Sequence, residues 1–202
     1  MSQSSLPTRG RPTTLDQDAV LQVSLMQYWA HDPLSVSIND ICKLTGASKP
    51  AIYRAFGSDD ELKSRVLDVY EQVAIAPFLN IFEASQTFDA TIDAVIDFMM
   101  QDRDVLGIPK GCLFVMMRTQ HDRFGPKTVE KLDLLRERFQ KGISSWVEGA
   151  KSQNQFDKNL PTTVAAQFVD AQHAGAMRMQ KEGVPPDQIQ SFLRFGFAAL
   201  SG

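Results

Sequence analysis

Two residues, Gly46 and Ala47, separate what reads as the end of one short helix from the start of the next. No other feature constrains the chain as much. Ser37 is a good N-cap, and Asp40 at the third helical position completes the pattern of a capping box. Ile38, Ile41 and Cys42 then share one face. Gly46 supplies the left-handed backbone that a helix end needs. Ser48 caps again, and Pro50 falls in the first turn, where a missing N–H costs little. Ile52 and Phe56 form the inner face of this second helix, and Gly57 ends it. Two short helices joined so tightly must cross at a steep angle, which is the helix-turn-helix geometry. The unit runs from Ser37 to Phe56.

The flanking segments brace it. From Leu15 to about His31 there is no Pro or Gly, and Leu21, Leu25 and Tyr28 recur at helical spacing. Asp32-Pro33 ends that helix, because the residue before proline avoids the helical region. Ser58-Asp59-Asp60-Glu61 reads as a capping box for a long fourth helix with Leu62, Val66, Val69 and Tyr70 as its stripe. Helical segments follow at roughly 88–105, 111–122, 126–152, 161–182 and 186–200. Pro77, Gly107-Ile108-Pro109, Gly125-Pro126, Leu160-Pro161 and Val184-Pro185-Pro186 punctuate them. No alternating strand pattern and no solenoid repeat appear. The expected fold is all-α with about nine helices, an N-terminal three-helix unit and a larger C-terminal bundle. The expected organisation is a flexible arm over 1–13, a helix-turn-helix domain over 14–57, a connecting helix over 58–76, and a ligand-binding and dimerisation domain over 77–202.

The outer face of the second short helix sets the chemistry. A helix that enters the DNA major groove needs an apolar inner face and small or polar outer groups. Ser48, Lys49, Pro50, Ala51, Tyr53 and Arg54 provide the latter. Pro50 and Ala51 permit close approach and suit a thymine methyl. Lys49 can reach a base or a phosphate, and Tyr53 and Arg54 suit phosphates. The net charge of −3 argues against a generally basic binder. Its distribution still permits a local basic face, since Lys43, Lys49 and Arg54 cluster and the acids spread elsewhere. Arg9 and Arg11 lie in an acid-free arm that reads either as a solvated tail or as a minor-groove arm.

These residues resemble a known family. The run from Ser37 to Leu62, SINDICKLTGASKPAIYRAFGSDDEL, is similar without gaps to the TetR-family signature S-I-x-D-I-A-x-x-A-G-V-S-K-x-x-L-Y-R-H-F-x-S-K-E-E-L. Val20-Leu21 to Tyr28 resembles the family's first helix, and Arg9-Gly10-Arg11-Pro12 its frequent G-R-P start. The specific resemblance covers about residues 9–70. Beyond it only the helix count and the Gly111-Cys112-Leu113 step match. The resemblance implies a nine-helix protomer, an Ω-shaped homodimer, and a repressor released from a double-stranded operator by a small effector. It places Ser37, Ser48, Lys49, Pro50, Ala51, Tyr53 and Arg54 on DNA-contact positions. Asp59 stands where the family has a lysine, and Ala55 where it often has a histidine, so two phosphate partners are missing.

The C-terminal half is less explicit. Met99, Cys112, Met116, Trp146, Phe168, His173 and Met177 belong to methionine- and aromatic-rich segments that suit either a core or an adaptable pocket for an apolar or aromatic effector. Small residues Ala171, Ala174 and Gly175, with Leu193, Gly196, Phe197 and Leu200 on the last helix, read as a dimer seam, on the expectation that one chain cannot cover that face. Cys42 reads as core. Cys112 reads as core or as an oxidant or electrophile sensor. His31, His121 and His173 lack ligand spacing, so no metal or other cofactor is expected. Nucleophile-elbow, P-loop and dinucleotide motifs are absent, so an enzyme is not expected. A helical enzyme using His121 or His173, or a regulator without a small-molecule response, are the alternatives. No apolar run is long enough to span a membrane, no secretory leader is apparent, and two cysteines make no disulfide framework. A cytoplasmic protein is the expectation.

Overall fold

The computed structural model describes residues 15–84, 87–156 and 159–200. Arg9 and Arg11 lie outside them. Among the described residues the regular structure is entirely helical. The helices are α1 Gln17–Ala30, α2 Ile38–Thr45, α3 Lys49–Phe56, α4 Asp59–Tyr70, α5 Ala76–Glu83, α6 Phe88–Met100, α7 Leu113–Arg118, α8 Pro126–Ser152, α9 Thr162–Lys181 and α10 Pro186–Ala198. A π-helical turn, Glu71–Ile75, joins α4 directly to α5. Among the described residues the ten α-helices therefore make nine rods, in line with the all-α expectation.

That π turn explains why Pro77 does not end the fourth rod. A proline inside an α-helix clashes with the carbonyl four residues earlier. Here the Ala76 N–H donates to the Glu71 carbonyl, five residues back, so the wider turn carries the chain past the proline. Elsewhere α6 stops at Met100, short of the expected 105. The Asp102 carboxylate accepts the N–H groups of Asp104 at 2.9 Å and Val105 at 3.2 Å, which holds them in a turn.

Helix α8 is the spine. Its 27 residues span about 40 Å, with α4 and α5 on one side and α9 on another. Leu132, Leu135, Phe139, Ile143 and Val147 form its buried stripe. Helix α10 lies across α6 and α9. In the N-terminal unit, Leu25, Tyr28, Ile41, Ile52 and Leu62 close one core. Truncating a fully buried Ile or Leu there costs about 2–5 kcal/mol.

The start of α8 is capped from a distance. Its N-cap is Gly125, which has no side chain to offer. The Asp60 carboxylate on α4 accepts instead from the backbone N–H groups of Lys127 at 2.8 Å and Thr128 at 3.0 Å, and from the Thr128 hydroxyl at 2.6 Å. A Cβ at residue 125 would lie 2.4 Å from the Asp60 carboxyl carbon, so the cap requires glycine there. Burial draws the Asp60 carboxyl up, but the Thr128 hydroxyl and the two backbone N–H groups outweigh it and hold it below the ordinary carboxylate range.

The apolar face of α10 does not remain open. Leu193, Phe197 and Leu200 are buried within the protomer, with Phe197 edge-on to Phe168. The expectation that one chain cannot cover this face is therefore corrected: α6 and α9 cover it. The same helix turns Phe195 outward, 86 % exposed. No described helix is long and apolar enough to cross a membrane.

Candidate functional site

Helices α2 and α3 are set by their caps. The Ser37 hydroxyl accepts from Asp40 N–H, while the Asp40 carboxylate accepts from the Ser37 N–H at 3.1 Å and hydroxyl at 2.6 Å. The Ser48 hydroxyl accepts from the Ala51 N–H at 3.3 Å. Gly46 between them has φ of 71°, a conformation that glycine adopts without strain. Ile41 and Ile52 are fully buried and lock the pair together.

The outer face of α3 is free. Lys49, Pro50, Tyr53 and Arg54 are exposed, and Ala51 is half-buried. Neither Lys49 nor Arg54 has a carboxylate partner among the described residues. Lys49 Nζ lies 5.8 Å from the centre of the Tyr53 ring, so the ammonium and the phenol form one polar patch. Ser48 keeps its O–H available to donate. Ser37 does not, because its N–H and hydroxyl both serve the cap.

Asp59 has a use that its position at a helix start does not disclose. It pairs with Lys63, which is buried and lies 5.1 Å from the centre of the Tyr28 ring. The carboxylate thus balances a buried cation.

The C-terminal residues singled out in the sequence are divided among a recess, two grooves and the core. Cys112, His173 and Met177 line a small recess between α4, α8 and α9, together with Trp29, Tyr70 and Arg103. Cys112 and Met177 also line a larger groove of about 530 Å³, to which Met116 contributes. Trp146 lines a separate groove along α5 and α8 and stacks on Phe88. Met99 is core, and its carbonyl accepts from Gln180. Phe168 is partly buried against the core. His173 is clamped between aromatic rings, 5.0 Å from Phe78 and 5.4 Å from Phe139. Its burial lowers the imidazole to about 4.

Sequence reading missed four residues of this region. Trp29 belongs to α1, yet its indole N–H donates to the Gly111 carbonyl at 3.1 Å. Lys181, at the end of α9, donates to the Trp29 and Ala30 carbonyls at 3.2 and 2.6 Å and so caps α1 from the far half of the chain. The Tyr70 hydroxyl donates to Cys112 Sγ at 3.0 Å. Arg103 falls inside the segment expected to be helical, yet it lies beyond the end of α6 and is buried. Burial also pushes the Cys112 thiol up, which disfavours the reactive thiolate.

No family model matches the chain. It is 36 % identical over 63 residues to the HTH-type transcriptional repressor ComR of Escherichia coli (strain K12). That stretch spans 31 % of this chain and 30 % of ComR. Solved structures align over nearly the whole chain. A TetR-family regulator from Agrobacterium tumefaciens matches with a TM-score of 0.80 at 16 % identity, over 92 % of this chain and 97 % of that one. The TetR regulatory protein from Rhodobacter sphaeroides matches at 0.79 and 17 % identity, over 91 % and 98 %. A cysteine variant of the TetR-family regulator CifR, complexed with a 26-base-pair double-strand operator, matches at 0.79 and 16 % identity, over 95 % and 100 %. The described residues of this chain are thus all-helical, with an N-terminal helix-turn-helix. Its fold is that of the TetR-family transcriptional regulators.

Proposed function

We propose that the chain is a sequence-specific DNA-binding regulator that grips an operator as a homodimer and lets go when a small effector binds the C-terminal half. The observation that carries this is the capped α2–α3 pair, whose outer face presents Lys49, Pro50, Tyr53 and Arg54, with no carboxylate partner for either cation among the described residues. The operator complex of CifR, on the same fold, supports the DNA reading. Exposed Val164 and Ala171, half-buried Phe168 and Gly175, and exposed Phe195 form an apolar strip over α9 and α10 that suits a second copy. Two-fold pairing then presents two recognition helices to a pseudo-palindromic site.

The test is a footprint upstream of the chain's own gene, followed by affinity against salt. Lys49→Ala should weaken binding and lower the salt slope by about 1. Tyr53→Ala should weaken binding while circular dichroism stays unchanged. Unaltered binding in both variants would show that α3 is not the reading helix.

A further inference from the structure

Buried charges in proteins are normally paired. Asp170 follows the rule: its carboxylate accepts from the two Nη groups of Arg118 at 2.9 Å each and from Gln140 at 3.1 Å. Arg103 does not. It is only 8 % exposed, and among the described residues its Nε has no hydrogen-bond partner and no carboxylate pairs with it. The groups sharing its recess are Tyr70, Cys112 and His173. His173 is likewise 8 % exposed, with Nδ1 unpartnered. Burial keeps the phenol and the thiol protonated and the imidazole neutral. The recess therefore carries one uncompensated positive charge and a second unused ring nitrogen.

Its dimensions and surroundings define the missing partner. The recess holds about 30 Å³, enough for an acid group but not for a whole ligand. Trp29, Cys112 and Met177 are walls both of this recess and of the 530 Å³ groove, whose other walls are the apolar Val115, Met116, Ala171 and Ala174 and, beside them, the cationic Lys110, Arg178 and Lys181. We propose that the recess takes the carboxylate of a small organic acid, paired with Arg103 and hydrogen-bonded to His173, with the acid's apolar body in the adjoining groove. A planar monoanion matches one guanidinium fork, whereas a phosphate dianion would bury an unmatched charge. Trp29 and the Lys181 cap make the ligand's wall part of α1, so an occupant bears directly on the helix-turn-helix unit. This assignment rests on the reading of the chain as an effector-controlled regulator.

The probe pair is phenylacetate and phenylacetamide, alike in shape and different in charge. They are titrated into the full chain and followed by thermal shift. Binding is read again by fluorescence of Trp146→Phe, which leaves Trp29 as the remaining tryptophan. Phenylacetate should bind and phenylacetamide should be weaker by roughly tenfold or more, as for loss of a charge-assisted pair. Arg103→Met should abolish phenylacetate binding yet raise the melting temperature of the unliganded protein, since it removes an unpaired buried charge. Arg103→Lys, which keeps the charge but not the fork, should bind weakly. Equal binding of the two probes, binding retained in Arg103→Met, or no binding of phenylacetate overturns the acid site. Operator binding by the same preparation separates the two readings. If the operator is bound and phenylacetate is not, the regulator reading stands without the acid site. If phenylacetate binds through Arg103 and no operator is found, the acid site stands and the regulator reading fails.

Discussion

Asp59 and His173 show how much of a residue's role depends on what folds against it. At the start of α4, Asp59 reads as an acid that suits the helix dipole. In the fold it also answers Lys63, whose burial beside the Tyr28 ring is invisible in a helical stripe. His173 reads as an isolated histidine, and the structure seats it between Phe78 and Phe139 with its imidazole lowered to about 4. The unfolded chain takes up a proton near pH 6.5, while the folded chain does so only near 4. The contribution of this burial is therefore complete above the unfolded value and is lost as the pH falls from there toward the folded one, a change on the order of 3 kcal/mol. Urea midpoints at neutral pH and at about pH 5 should differ accordingly. The difference should shrink in His173→Gln.

Local caps are what made the N-terminal elements readable. Ser37, Gly46, Ser48 and Gly57 act within four residues of themselves, so their meaning is present in a short window. The reading of Ser58-Asp59-Asp60-Glu61 as a full capping box was only half right. Ser58 does accept from the Glu61 N–H at 3.1 Å, but the Glu61 carboxylate lies against Gly57 instead. The Asp60 cap on α8 spans 67 residues of sequence, and no local pattern announces it. Gly125-Pro126 reads as punctuation, although its glycine is there to admit the Asp60 carboxylate. At this scale Asp60→Ala should destabilise the protein by about 1–2 kcal/mol through loss of the cap. Gly125→Ala should do the same by expelling an intact Asp60. The double variant should cost little more than either single one, because both break the same contact. Chemical denaturation of the three variants checks the cycle.

For the molecule as a whole, the strip containing Val164, Phe168, Ala171 and Phe195 lies on the outer side of α9 and α10, opposite the buried Leu193 and Phe197. The apolar character of α10 was legible in sequence; which of its two faces stays outside was not, since that depends on where α6 and α9 come to rest. Phe195→Glu should shift the chain toward monomer in sedimentation and weaken operator binding cooperatively, while Leu193→Glu should unfold it. The fourth rod adds a consequence of another kind. A π turn holds one more residue than an α-turn over nearly the same length of axis, so the stretch from Asp59 to Glu83 carries a surplus residue relative to a plain helix. Matched without a gap to a relative lacking the turn, every position after Ile75 would be assigned one place out of step. Leu79, which packs against Gly142 of α8, would then be equated with a neighbour facing elsewhere. Counting along this chain is trustworthy up to Tyr70 and must begin afresh at Ala76.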